Sequence, residues 1–156
     1  MPVKANVKVT GGDRARRFFK NAGKGGVNRV RVGFFSQARY PNGTPVASVA
    51  LWNEFGTRRN GEEHAPERPF FRQAIRQMAD DIPKILENGI DPARGVLDRR
   101  LAGRIGSHAQ GLIERQIQTL DEPENADSTI ARKGTGKKPL IDTSLMLQSV
   151  TFRVDE

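Results

Sequence analysis

Residues 44–57 read TPVASVALWNEFGT and carry signals for both ends of one helix. Thr44 is a typical N-cap, and Pro45 suits the first helical position because the N–H that proline lacks would have no partner there. Gly56 is a natural C-terminal cap. The side chains that share one face at helical spacing are Val46, Val49, Ala50 and Asn53. The stretch therefore predicts a short helix with one face packed on a core.

Alternation of apolar and polar side chains predicts strands on both sides of this helix. Val30, Val32 and Phe34 alternate with two arginines and a glycine. The same period of two occurs in residues 3–9 and again in residues 150–154. We therefore expect at least three strands, contributed by the two ends of the chain.

Two longer helices are predicted between the second and the last strand, over about residues 69–88 and about residues 94–120. The predicted core face of the first consists of Phe71, Ile75, Met78, Ile82 and Ile85. Pro83 should kink this helix or end it early. In the second helix, Gly103 and Gly106 predict close packing against another element.

Shorter helices are predicted over about residues 14–22 and about residues 144–149, the latter capped by Asp142 or Thr143. The polar stretches 57–67 and 121–138 are predicted to be flexible loops, the second with a short turn over about residues 128–132.

These elements predict an α+β fold, in which an antiparallel sheet of three or more strands has helices packed on one face. A basic strand–helix arm, residues 1–26, would precede a single α+β domain over residues 27–156.

The positive charge is concentrated at one end of the chain. The net charge is +8, and residues 1–31 contain nine basic residues and one acid, whereas the other 125 residues contain 17 of each. Such an end suits DNA, an acidic protein surface or water. The candidate contacts with DNA or an acidic partner are Arg14, Arg16, Arg17, Lys20 and Lys24.

The composition argues against several functional classes. The chain has no cysteine, which excludes disulfides and thiolate metal sites. No apolar run reaches the roughly 18 residues of a membrane span, and no signal-peptide core follows Met1, so we expect a protein made in the cytoplasm. The two histidines, His64 and His108, lack the spacing of a metal motif. We therefore expect no metal, no cofactor and no catalytic site.

Aromatic and charged residues at two predicted helix ends are candidates for contact with other proteins. Trp52 lies off the predicted core face of its helix, and Glu54 follows it closely. Arg68, Phe70 and Arg72 surround the start of the next helix, where arginine opposes the helix dipole and favours an acidic partner. Phe55 and Phe71, in contrast, are expected in the core.

Three short segments occur in a fixed order: Asn53–Thr57 (NEFGT), Pro66–Phe70 (PERPF) and Lys138–Thr143 (KPLIDT). In this order they resemble the tail-completion, or head–tail joining, proteins of tailed bacteriophages. The resemblance covers about residues 27–154. It departs at Ser144, where a glycine is common in the family, and it leaves residues 1–26 outside the pattern.

The resemblance implies a structural subunit of the virion neck, and not an enzyme. Six copies would form a ring between the tail tube and the head-connector proteins, and DNA would pass through its lumen. The loops 57–67 and 121–138 would become ordered against neighbouring rings.

Two other functions remain open from the sequence. The first is a small nucleic-acid-binding module that uses the basic arm. The second is an enzyme such as a cell-wall hydrolase, for which Glu54, Glu62 and Glu63 are the clustered acids near aromatic residues.

Overall fold

A computed structural model describes residues 16, 27, 29–90, 97–133, 138–141 and 144–155. Its elements, in chain order, are β1 (Arg29–Phe34), α1 (Val46–Phe55), β2 (Thr57–Arg59), β3 (Glu62–Ala65), α2 (Phe70–Gly89), α3 (Arg99–Thr119), α4 (Asp127–Lys133), α5 (Leu145–Gln148) and β4 (Val150–Asp155). The fold is therefore α+β, as predicted.

The first and last of the described strands pair to form the main sheet. β1 and β4 are antiparallel, with Arg29 opposite Asp155 and Phe34 opposite Val150. This confirms two of the predicted strands. The described part of the sheet has two strands, and the strand predicted over residues 3–9 lies outside the described residues.

Helix α3 packs against both strands of this sheet and against α2. The ring of Phe152 on β4 lies over Gly106 of α3, where a Cβ atom would be 2.3 Å from the nearest ring carbon. The close approach predicted at Gly106 is confirmed. The one predicted at Gly103 is wrong, because no described residue of another element comes within 4 Å of the place where its Cβ would be.

The core lies where α2, α3 and α1 meet the sheet. Helix α2 buries Phe70, Ala74 and Met78, and α3 contributes Leu112, Ile113 and Ile117 among others. Of the predicted face, Met78 is buried and Phe71 and Ile82 pack against the core, as expected. Ile75 is half exposed, and Phe70 and Ala74 are buried instead, so the buried face is rotated by about one residue in the first half of α2. Pro83 lies inside α2, which continues to Gly89 and does not end early.

The helix starts also differ from the prediction. Pro45, and not Thr44, is the N-cap of α1, and Gly56 caps its end as predicted. Helix α3 begins at Arg99, because the Asp98 side chain accepts a hydrogen bond from the Leu101 backbone N–H (2.7 Å). The predicted caps Asp142 and Thr143 lie outside the described residues, and the N-cap of α5 is Ser144 in the left-handed conformation (φ 60°).

The stretch 57–67, predicted as a loop, contains the β2–β3 hairpin. Its turn is formed by Asn60 and Gly61, both with positive φ (53° and 84°). Asn-Gly favours this two-residue turn because both residues tolerate positive φ, and its twist matches that of paired strands. In the other predicted loop, residues 127–133 form α4.

Candidate assembly interface

Glu54 joins the end of α1 to the start of α2. Its side chain is 5% exposed and accepts hydrogen bonds from the backbone N–H groups of Phe71 (2.8 Å) and Arg72 (3.1 Å). Pro69, the N-cap residue of α2, makes no side-chain capping bond. The carboxylate of Glu54 thus caps α2 from another helix and satisfies donors that would otherwise lack partners. It is a structural residue, and the prediction of a surface contact is wrong for it.

Arg72 finds its acidic partners within the chain. Its guanidinium donates to the Glu54 carboxylate (2.7 Å) and to the Glu67 carboxylate (2.7 Å), and it lies 5.1 Å from the Phe55 ring centroid. Hydrogen bonds to Glu67 and to Glu54 raise the pKa of Arg72. The acidic partners of Arg72 are therefore carboxylates of the same chain, and not of another protein as predicted.

Arg68 is buried, with 7% of its surface exposed. Its backbone N–H donates to the Asn53 carbonyl (2.7 Å), and its guanidinium donates to the carbonyls of Pro123 (3.1 Å) and Glu124 (2.9 Å). Burial lowers the pKa of the guanidinium. Arg68 therefore connects three distant parts of the chain and is not the surface residue that was predicted.

Phe70 is also wrong as a surface candidate, because it is 1% exposed. Its ring makes edge-to-face contacts with Phe34 and Phe71, each with centroids 6.2 Å apart. The one-residue rotation of α2 explains the error, since the buried positions are 70, 74 and 78.

Trp52 is half exposed and borders a cleft of about 530 Å³. We call it the Arg68 cleft. Its lining includes Trp52, Asn53, Pro66, Arg68, Pro139 and Leu140. Residues from all three motif segments therefore meet at one place, although the segments are far apart in the sequence. A contact role for Trp52 stays a prediction.

A second surface lies on the other side of α1. Leu51 and Phe55 on α1 and Ile75 on α2 are exposed, and they border an apolar groove floored by β1 and the starts of both helices. We call it the apolar groove. Phe55 was predicted in the core but is 57% exposed, because Glu54 occupies the inward position. The sequence signal for this surface was the spacing of Leu51 and Phe55, four residues apart and off the core face.

Of the five basic candidates, Arg16 is exposed and helical, and Arg14, Arg17, Lys20 and Lys24 lie outside the described residues. Other arginines lie on the main sheet. Arg153 and Arg31 lie 4.1 Å and 5.8 Å from the Phe35 ring centroid.

Arg31 also forms an ion pair with Asp155 (2.7 Å), and this hydrogen-bonded partner lowers the pKa of Asp155. Between helices, His108 Nε2 lies 3.0 Å from a carboxylate oxygen of Asp81.

The described ranges contain no group of three or more His, Cys, Asp or Glu side chains placed to hold a metal ion. None of the helices in those ranges is long and apolar enough to cross a membrane. In comparisons with protein-family models, curated proteins and solved structures, the chain has no significant match.

Proposed function

We propose that the chain is a structural protein of the phage neck. Copies of it form a ring, most simply a hexamer, that joins or completes the tail at the head–tail connector and lets DNA pass. Its work is binding and not catalysis, its partners are tail-tube and head-connector proteins, and its location is the virion. The three ordered segments that resemble tail-completion proteins are the basis for the specific role.

One structural observation supports an assembly role in particular. Three large apolar side chains are exposed around the apolar groove: Leu51 and Phe55 on α1, and Ile75 on α2. Exposed apolar surface that is clustered in this way is typical of a protein–protein contact. The mean hydropathy of -0.60 indicates a modest core, and burying this surface against a neighbour would add to the apolar surface removed from water.

The motif residues provide the scaffold for this surface. Glu54 fixes the angle between α1 and α2 through its bonds to the start of α2. Arg68 fastens the same junction to residues 123 and 124. The exposed side chains of both helices are therefore held in a defined arrangement before any partner binds, which lowers the entropic cost of association.

In a closed ring the apolar groove would meet a different surface of the next copy, because rings are built from heterologous contacts. In this proposal residues 3–9 add a third strand at an edge of the β1–β4 sheet, and the helices pack on one face of that sheet. The β2–β3 hairpin and the residues around α4 would contact neighbouring rings.

The direct test is electron microscopy of lysates from a phage in which this gene is stopped early. We expect full heads beside separate tails, some of abnormal length. Intact infectious particles would contradict the joining role.

A second test addresses the ring itself. Phe55→Asp places a charge in the apolar groove without touching the core, and we expect it to convert rings to monomers in size-exclusion chromatography with light scattering. Gln77→Asp, at an exposed position of α2, is the matched control and should leave the rings intact. Rings that survive Phe55→Asp would exclude the groove as the contact.

The alternative is a small nucleic-acid-binding module, and the charge of +8 within residues 1–31 favours it. It predicts DNA binding that weakens steeply as salt rises, because lysine and arginine release counterions from phosphates. A chain without residues 1–26 that binds DNA equally well would remove its basis.

A further inference from the structure

The Arg68 cleft contains a buried cation that has no acidic partner in the described part of the chain. The two hydrogen bonds of the Arg68 guanidinium go to neutral backbone carbonyls. None of the ion pairs found among the described residues includes Arg68. Arg72, four residues later, is more exposed and yet has two carboxylates.

This difference is physically significant because a buried charge is unfavourable unless an opposite charge offsets it. Carbonyl groups satisfy hydrogen bonds but leave the net charge of the guanidinium in place. Burial accordingly lowers the pKa of Arg68, whereas the paired Arg72 has a raised pKa. The site would gain most from a ligand that brings a negative charge.

Arg68 also retains donors for such a ligand. Its Nε and Nη2 atoms hold the two carbonyls, and Nη1 makes no hydrogen bond with a described residue. No side-chain nitrogen or oxygen in the described residues is both buried and unpaired, so Nη1 reaches solvent. A carboxylate is the natural acceptor for this donor, because hydrogen bonds between a guanidinium and a carboxylate are charge-assisted and stronger than neutral ones.

The rest of the cleft suits a peptide. Trp52, Leu140 and Leu145 supply apolar walls, and Asn125 and Thr129 supply polar ones. A volume of about 530 Å³ lies in the usual range for ligand sites and holds a few side chains.

We propose that the Arg68 cleft binds a carboxylate side chain of an acidic segment of a partner protein, with Arg68 as the anchor and Trp52 as an apolar wall. The proposal does not depend on the phage role, because it uses only the burial, the hydrogen bonds and the lining of this cleft.

Trp52 is the single tryptophan of the chain, so its fluorescence reports directly on the cleft. The probes are two blocked pentapeptides, Ala-Leu-Glu-Leu-Ala and the same peptide with glutamine in place of glutamate. We expect a saturable change with the glutamate peptide, an affinity about tenfold lower for the glutamine peptide, and weaker glutamate binding in about 1 M salt. This comparison uses the unaltered protein, so it does not depend on any variant folding.

Two variants test whether Arg68 is the residue that binds the glutamate carboxylate. Arg68→Lys keeps the charge but loses the planar guanidinium and its Nη1 donor, and we expect it to weaken glutamate binding about tenfold. Arg58→Gln removes an exposed charge outside the cleft and should change the affinity less than twofold. Circular dichroism checks that both variants are folded.

Three results would overturn the proposal. The first is equal affinity for the two peptides, or no fluorescence change with either. The second is an equal loss of binding in Arg58→Gln and Arg68→Lys. The third is glutamate-peptide binding that is unchanged in about 1 M salt, because no charge would then contribute to it.

Discussion

Replacing Glu54 with alanine should destabilise the protein more than replacing Glu67, the other carboxylate that pairs with Arg72. The Glu54 side chain is buried and accepts two backbone N–H bonds at the start of α2. Each such bond contributes about 1–1.5 kcal/mol, as helix caps and hydrogen bonds to charged groups do. The free energy of unfolding should therefore fall by about 2–3 kcal/mol.

For a domain of this size, that loss corresponds to a melting temperature lower by about 4–12 °C. Urea unfolding followed by Trp52 fluorescence measures the free energy, and circular dichroism measures the melting temperature. Glu67→Ala is the matched control, because Glu67 also pairs with Arg72 but lies in solvent. It should have a much smaller effect, since ion pairs in solvent contribute little.

An equal loss of stability in Glu54→Ala and Glu67→Ala would refute the idea that the Glu54 carboxylate caps α2. That result would mean that the backbone N–H groups of Phe71 and Arg72 find water without loss. A fall caused by Glu54→Ala alone would instead establish that α1 caps α2.

Three further substitutions test local geometry by the same urea assay. Ser144→Gly should raise the free energy of unfolding by about 0.5–1 kcal/mol, because Ser144 has a φ of 60° that glycine adopts without a steric penalty; no gain would contradict the left-handed assignment. Gly106→Ala should lower it by about 1–3 kcal/mol, because the new methyl group would overlap the Phe152 ring. Gly103→Ala, on the same helix with open space around it, should instead raise it by about 1 kcal/mol, and equal effects of the two glycine variants would contradict the packing of α3 on β4.

The parts of the fold that the sequence predicted best are those with strong local signals. β1 and β4 show strict alternation, and α1 ends at the glycine that was expected to cap it. The β2–β3 hairpin had an equally strong signal in Asn60-Gly61, but its flanking residues are mostly charged and do not alternate. An Asn-Gly pair therefore predicts a hairpin even where the residues around it are polar.

The error in α2 arose from the rotation of one helix. Phe70 and Phe71 are adjacent, and either could begin an apolar stripe at helical spacing. The choice depends on the end of α1, because Glu54 binds the N–H groups of Phe71 and Arg72 and thereby sets the orientation of the first turn. Contacts between residues 17 or 18 positions apart lie outside what periodicity within one helix can predict.

The same contact explains why the site was only partly predictable. Among the candidates, Glu54, Arg68 and Phe70 are buried, and Arg72 is held by carboxylates of the same chain. A charged residue beside an aromatic at a helix end suits both a surface contact and a buried junction. Burial decides between them, and burial follows from tertiary packing.

Phe55 and Glu54 lie in the same motif segment, but Glu54 stabilises the fold and Phe55 is exposed at the surface. Glu54, in the first motif segment, has partners that account for it within a single chain. Phe55 lies beside Glu54 in the same segment, yet it is mostly exposed to solvent, and the Arg72 guanidinium lies 5.1 Å from its ring centroid. Loss of assembly in a Glu54 variant would therefore report on the fold, whereas loss of assembly in a folded Phe55 variant would report on the interface. The Phe55→Asp experiment is for this reason the sharper test of the proposed ring.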